Sequence, residues 1–136
     1  MDTAAEPLRT GLLALQRYRA GWSTGSWAPF VELLSPGFTL CAPIGDLRGR
    51  AATRAEVVSH FKAMRLLGVR LQLGEPLRVA SSDRNVTFEL EVTGALYGLP
   101  YRNTIAISLD VEAGLVTALR EYFGELDREI LARALK

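Results

Sequence analysis

Glu121 stands between Leu119 and Phe123 in a run of alternating character, so a strand there carries a carboxylate on the same face as two apolar side chains. A carboxylate in such company loses hydration. Its pKa rises, and it can take or give a proton near neutrality. The bland alternative is that Arg120 or another base neutralises it, or that a second subunit covers that face. Tyr18 can donate a hydrogen bond to a carbonyl or a developing oxyanion, although its helical spacing from Leu15 and Trp22 suits a packed core tyrosine equally well. His60 is the only histidine, and histidine alone has an unperturbed pKa close to neutrality. With no second histidine and no acid at ligand spacing beside it, His60 does not point to a metal. Glu121, Tyr18 and His60 thus form a candidate catalytic set for proton transfer, with no metal and no cofactor expected. Asp46, in a glycine-containing loop, reads as a turn residue. Cys41, between apolar neighbours, reads as a buried inert thiol.

The elements that must position these groups are written in the periodicity. From Pro7 to about Trp22, Leu8, Leu12, Leu15, Tyr18 or Arg19, and Trp22 recur at helical spacing. A second helix is expected from Ser26, with Trp27, Phe30, Val31 and Leu34 on its apolar side, and Ser35-Pro36-Gly37 should stop it. A third runs from about Thr53 to Leu67, where Thr53 and Glu56 form a capping box and Val57, His60 or Phe61, Met64 and Leu67 one stripe. A short strand is expected from Phe38 to Pro43, with a loop from Ile44 to Ala52. Longer strands are expected over Val69 to Val79, Asn85 to Tyr97, Pro100 to Val111 and Leu115 to Phe123, and a short helix from Glu125 to Leu135 closes the chain. Helices first and an antiparallel meander last argue an α+β fold. On the strand from Asn85, Val86, Phe88, Leu90 and Val92 alternate with Thr87, Glu89, Glu91 and Thr93, and the apolar set is expected inward because two unpaired buried carboxylates would be costly.

Composition narrows the function classes. The chain has 136 residues, 49% of them hydrophobic, which suits a single domain spanning 1–136 with a real core. Sixteen Lys and Arg against 15 Asp and Glu give no electrostatic reason to expect nucleic acid or an acidic membrane as partner. One cysteine makes no internal disulfide. The absence of an apolar leader or a long apolar run fits a cytoplasmic protein.

Several phrases, taken in order, resemble the nuclear transport factor 2-like superfamily. They are Gln16-Arg17-Tyr18, Leu33-Leu34-Ser35-Pro36-Gly37-Phe38-Thr39, Leu47-Arg48-Gly49-Arg50, and the run from Gly114 to Phe123 that contains Leu119-Arg120-Glu121-Tyr122. The resemblance spans about Leu8 to Asp127. It implies three N-terminal helices packed on a curved antiparallel sheet, a cone-shaped α+β barrel with a central pocket. It also implies pairing of sheets in a homodimer. The ketosteroid isomerase-like members use an aspartate base with a tyrosine and a protonated acid at the oxyanion. The tyrosine falls on Tyr18, but the base falls on Ala42, a supporting tyrosine near Phe61, and the oxyanion acid near Ile105 or Ala106, so steroid isomerase chemistry is not expected. Limonene-epoxide hydrolase-like members hold water between two aspartates bridged by an arginine. One aspartate falls on Glu121, the middle-strand pair near Glu89 and Glu91 or two residues earlier, and the first-strand partners on Thr39 and Cys41, an incomplete set.

The reading that follows is a pocket protein for a hydrophobic small molecule, of the polyketide cyclase or isomerase-like branch, moving a proton without a cofactor. Its alternatives are a non-catalytic ligand-binding or protein-interaction module and an epoxide-hydrolase-like enzyme. The expected pocket wall draws Trp22, Phe30, Phe61 and Met64 from the helices. Phe38, Leu40, Phe88, Leu90, Ile105, Leu119 and Phe123 complete it from the strands.

Overall fold

The computed structural model describes residues 5–42, 51–123, 130 and 132–133. The element order is α1 (Ala5–Thr24), α2 (Ala28–Val31), β1 (Leu34–Cys41), β2 (Ala52–Thr53), α3 (Val57–Leu66), β3 (Arg70–Ser81), β4 (Asn85–Leu96), β5 (Leu99–Glu112) and β6 (Leu115–Phe123). The strands form one six-stranded sheet in the order β2-β1-β6-β5-β4-β3. Three helices on a curved sheet are as expected. The sheet is mixed and unclosed, however, because β1 runs parallel to β6 while every other pair is antiparallel. A parallel pair needs a long connection between its strands, and α3 with the four intervening strands supplies it.

Two-residue turns fix the register of the meander. Tyr97 and Gly98 join β4 to β5, and Ala113 and Gly114 join β5 to β6, all at positive φ. Paired positive φ angles match the right-handed twist of the flanking strands. With that register, Val86, Phe88, Leu90 and Val92 are fully buried, as the alternation requires. Glu89 and Glu91 face outward, in ion pairs with Arg78 at 2.8 Å and Arg102 at 2.6 Å. The two middle-strand carboxylates therefore stay away from the core.

Several local expectations need correction. Leu12 is 46% exposed, because the buried stripe of α1 runs through Pro7, Gly11, Ala14, Tyr18 and Gly21 instead. Gly11 lets α1 approach the sheet closely; a Cβ there would meet the Val86 side chain at 2.8 Å. The second helix is one turn, capped at Trp27, and the Ser26 N–H donates to Thr24 Oγ1. The third starts at Val57. Thr53 belongs to β2, a strand that lacks any sequence signal of its own, and its N–H donates to Glu56 Oε1 at 3.1 Å. Ser35-Pro36-Gly37 lies inside β1, where the pairing with β6 shifts register between Leu34 and Thr39, so proline breaks no regular ladder. Most of the expected Ile44–Ala52 loop, Asp46 included, and most of the expected terminal helix lie outside the described residues. Among the described residues no helix is long and apolar enough to cross a membrane.

Candidate functional site

α1 brings Tyr18 to the inner face of the sheet, and β6 brings Glu121 up to meet it. Glu121 pairs in register with Ile107 and shares the inward face with Leu119. It is 8% exposed and Tyr18 is 1% exposed. The Tyr18 hydroxyl donates a hydrogen bond to Glu121 Oε1. Arg120 does not neutralise Glu121: it points the other way and is held by Asp110 at 2.7 and 2.9 Å.

Burial pushes the Glu121 carboxyl up to about 7, and the hydrogen bond from Tyr18 lowers it only in part. Tyr18 itself is raised well above the ordinary tyrosine value, first by burial and then by the adjacent Glu121 charge. Trp22 Nε1–H faces the phenol oxygen closely enough to favour its ionised form. It lacks the geometry of a formed hydrogen bond and is a buried donor without an acceptor. Aromatic rings enclose the phenol: Trp22, Trp27, Phe30 and Phe61 lie with centroids 5.2 to 6.4 Å away.

A small cavity opens beside this pair, lined by Tyr18, Trp22, Leu40, Ala42, His60, Phe61, Met64, Val69, Leu71, Leu96, Glu121 and Phe123. Tyr18, Glu121 and His60 thus meet at one cavity. His60 reaches it from α3, 8% exposed, its ring 5.5 Å from Phe61. Glu121 is the only acid of the lining among the described residues. The centre of a water molecule has about 30 Å³ in which to move there, room for roughly two waters. Among the described residues no group of three or more His, Cys, Asp and Glu could hold a metal ion.

Of the expected pocket wall, Trp22, Leu40, Phe61, Met64 and Phe123 line the cavity. Phe30, Phe38, Phe88, Leu90, Ile105 and Leu119 do not; they are buried in the core. Gly11 brings α1 close to Val86 at the start of β4, and the open space lies by Leu96 at the other end of that strand. Leu71, Val69 and Leu96 line it and were missed. Leu71 follows the alternation of β3 and Leu96 continues the inward series of β4, so the signal was present in the period of two. Ala42, the position aligned with a catalytic base elsewhere, does line the cavity but carries no ionisable group.

Residues 15–119 match the family model described as SnoaL-like domain. An NTF2-like protein from Anabaena variabilis is similar over 93% of this chain and 95% of its own, at 26% identity and a TM-score of 0.81. A candidate polyketide cyclase from Xanthomonas campestris is similar over 96% and 99%, at 19% identity and 0.71. A protein with a ketosteroid isomerase-like fold from Catenulispora acidiphila, solved with trimethylamine, is similar over 89% and 91%, at 15% identity and 0.70. No curated protein matches the sequence.

Proposed function

This chain belongs to the SnoaL-like domain family, within the NTF2-like superfamily, and we propose that it performs cofactor-independent proton transfer on a small hydrophobic carbon acid. The observation that carries this reading is the buried Tyr18–Glu121 pair at the cavity wall, with the carboxyl raised to about 7. In the ionised form Glu121 takes the proton. The C–H bond breaks, its electrons pass to the neighbouring carbonyl oxygen, and the Tyr18 hydroxyl turns from Glu121 to that oxygen. Return of the proton to another carbon isomerises the substrate; attack of the carbanion on a second carbonyl cyclises it. His60 assists as the remaining ionisable group of the wall besides this pair among the described residues. A SnoaL-like membership supports a cyclase, isomerase or ligand-binding role of this coarse kind.

Proton–deuterium exchange at the α carbon of a panel of enolisable ketones in D₂O tests the reading without requiring the natural substrate. Wild type is expected to exchange at least one member, and Glu121→Gln to slow that exchange about 100-fold or more. Because the base acts ionised, the rate should rise with pH through a midpoint near 7. No exchange above background for any ketone would count against it.

One observation favours a second reading, a non-catalytic binder. The cavity has room for only about two waters, and Tyr18 and Glu121 already satisfy each other. A substrate must therefore widen it, for which the flexible Met64 and the half-buried Trp22 are the adaptable walls. An epoxide-hydrolase-like site is disfavoured, since Glu89 and Glu91 face away. The assembly we propose is a homodimer through the outer face of the sheet.

A further inference from the structure

A second and roomier cleft lies behind the first. It holds about 250 Å³ against about 30 Å³ for the cavity at Glu121. Gly21, Trp22, Ser23, Gly25, Trp27, Phe61, Lys62, Arg65, Val69 and Arg70 bound it, so it is formed where the end of α1, the outer side of α3 and the start of β3 converge. Trp22, Phe61 and Val69 belong to both spaces and form the wall between them.

Its chemistry is one-sided. Lys62, Arg65 and Arg70 are exposed, and no acidic side chain lines the cleft among the described residues. Arg17, Arg19, Arg78, Arg102 and Arg120 each pair with a carboxylate. The three cations of the cleft have none among the described residues. A Cβ on Gly25 would lie 3.3 Å from Arg65 Nη1, so Arg65 sits over the negative end of α1, which accounts for that residue alone. Lys62 and Arg70 have no such explanation.

The apolar side of the cleft is aromatic and built with little slack. Trp27 stacks on Phe61 with centroids 3.9 Å apart and planes 17° from parallel, and Trp22 meets both edge-on. Gly21 makes the arrangement possible, since a Cβ there would lie 2.3 Å from the Trp27 ring. A concave site with aromatic walls and several unopposed cations recognises a flat organic body carrying an oxyanion.

From this geometry we propose that the cleft is a binding site for a small aromatic or similarly flat organic anion, a carboxylate or phosphate monoester, held by Lys62, Arg65 and Arg70 over the Trp22–Trp27 wall. Its location outside the Tyr18–Glu121 cavity makes it independent of the proton-transfer reading.

Both tryptophans of the chain line the cleft, so their two indole N–H signals in ¹H–¹⁵N spectra report binding directly. Phenyl phosphate, benzoate, phenol and inorganic phosphate are titrated into the full chain. The expected result is a saturable shift of the indole signals with phenyl phosphate or benzoate, at least tenfold tighter than with phenol, and weakened about tenfold in the Lys62→Ala/Arg70→Ala double variant. Both substituted positions are exposed, and an otherwise unchanged spectrum verifies that the fold is intact. Equal affinity for phenol and the anions, or no weakening in the double variant, would overturn the site. Inorganic phosphate binding as tightly as phenyl phosphate would overturn the aromatic part of the assignment. Glu121→Gln is expected to bind phenyl phosphate like wild type, so failure of the exchange chemistry and failure of this site can be told apart; a tenfold loss there would overturn the separation of the two spaces.

Discussion

Glu121 is held by two opposed influences: burial favours its neutral form, and the Tyr18 hydroxyl favours its carboxylate. The sign of its pH dependence follows. Its folded value of about 7 exceeds the ordinary 4.5, so between those two the folded state binds the extra proton. Its contribution to stability is full below about pH 4.5 and is lost as pH rises through 7, by about 3 kcal/mol in all. Urea unfolding at pH 5 and pH 8 should show wild type less stable at the higher pH, and Glu121→Gln should flatten that difference, since an amide still accepts the bond from Tyr18. Tyr18→Phe removes the one influence that lowers the carboxyl. Its midpoint, followed by carboxyl ¹³C NMR, should therefore move upward; a downward move would mean that the bond favours the acid. The residue types of this site were legible because a carboxylate between Leu119 and Phe123 is conspicuous on a strand. Trp22 Nε1 and its missing acceptor were not legible, because the direction of an indole depends on tertiary packing.

At the scale of elements, α3 and the β4–β5 hairpin are joined at a single tight contact. Gly68 ends the helix at φ +85°, the Gly68 N–H donates to Arg65 O and the Val69 N–H to Met64 O, and Gly98 N–H donates to Gly68 O at 3.2 Å. That Schellman end turns the chain so that Val69 and Leu71 face the cavity. Gly98 has a similar φ of +81° but open space where a Cβ would go, whereas a Cβ on Gly68 would lie 2.9 Å from Gly98 N. Gly98→Ala should thus cost about 1 kcal/mol of left-handed strain, and Gly68→Ala about 2–3 kcal/mol because it also separates helix from hairpin. Equal losses in urea unfolding would remove the steric contact from the account. The glycine after the α3 stripe announced where that helix stops, and the alternation of β4 announced its inward face. What sequence periodicity could not convey was the path of α1. Gly11 carries no weight in a hydrophobic pattern, yet its lack of a side chain admits the close approach of α1 to Val86.

At the scale of the molecule, helices cover the inner face of the sheet, and among the described residues none covers the outer face. Glu89, Ala106 and Tyr122 align side by side across β4, β5 and β6 on that outer face. The ion pairs around them, with side chains 40 to 76% exposed for Arg102–Glu91 and 44 to 73% for Arg78–Glu89, hold little stability in water. Ala106 and Ala118, however, are small enough to let a second sheet come close, and Tyr122 is 55% exposed, an aromatic of the kind enriched in interface cores. The proposed homodimer uses this face. Light scattering on an eluting peak should give twice the chain mass at micromolar concentration. Ala106→Arg then makes the decisive comparison. In an isolated chain the added guanidinium would stand in solvent between Glu89 and Tyr122 and cost almost nothing. In a back-to-back dimer it would meet its own copy across the interface and shift the peak to the monomer, with the Tyr18–Glu121 pair on the opposite face undisturbed. A wild-type peak at the monomer mass would instead leave the outer face to solvent, and the exposed ion pairs would then be its ordinary surface.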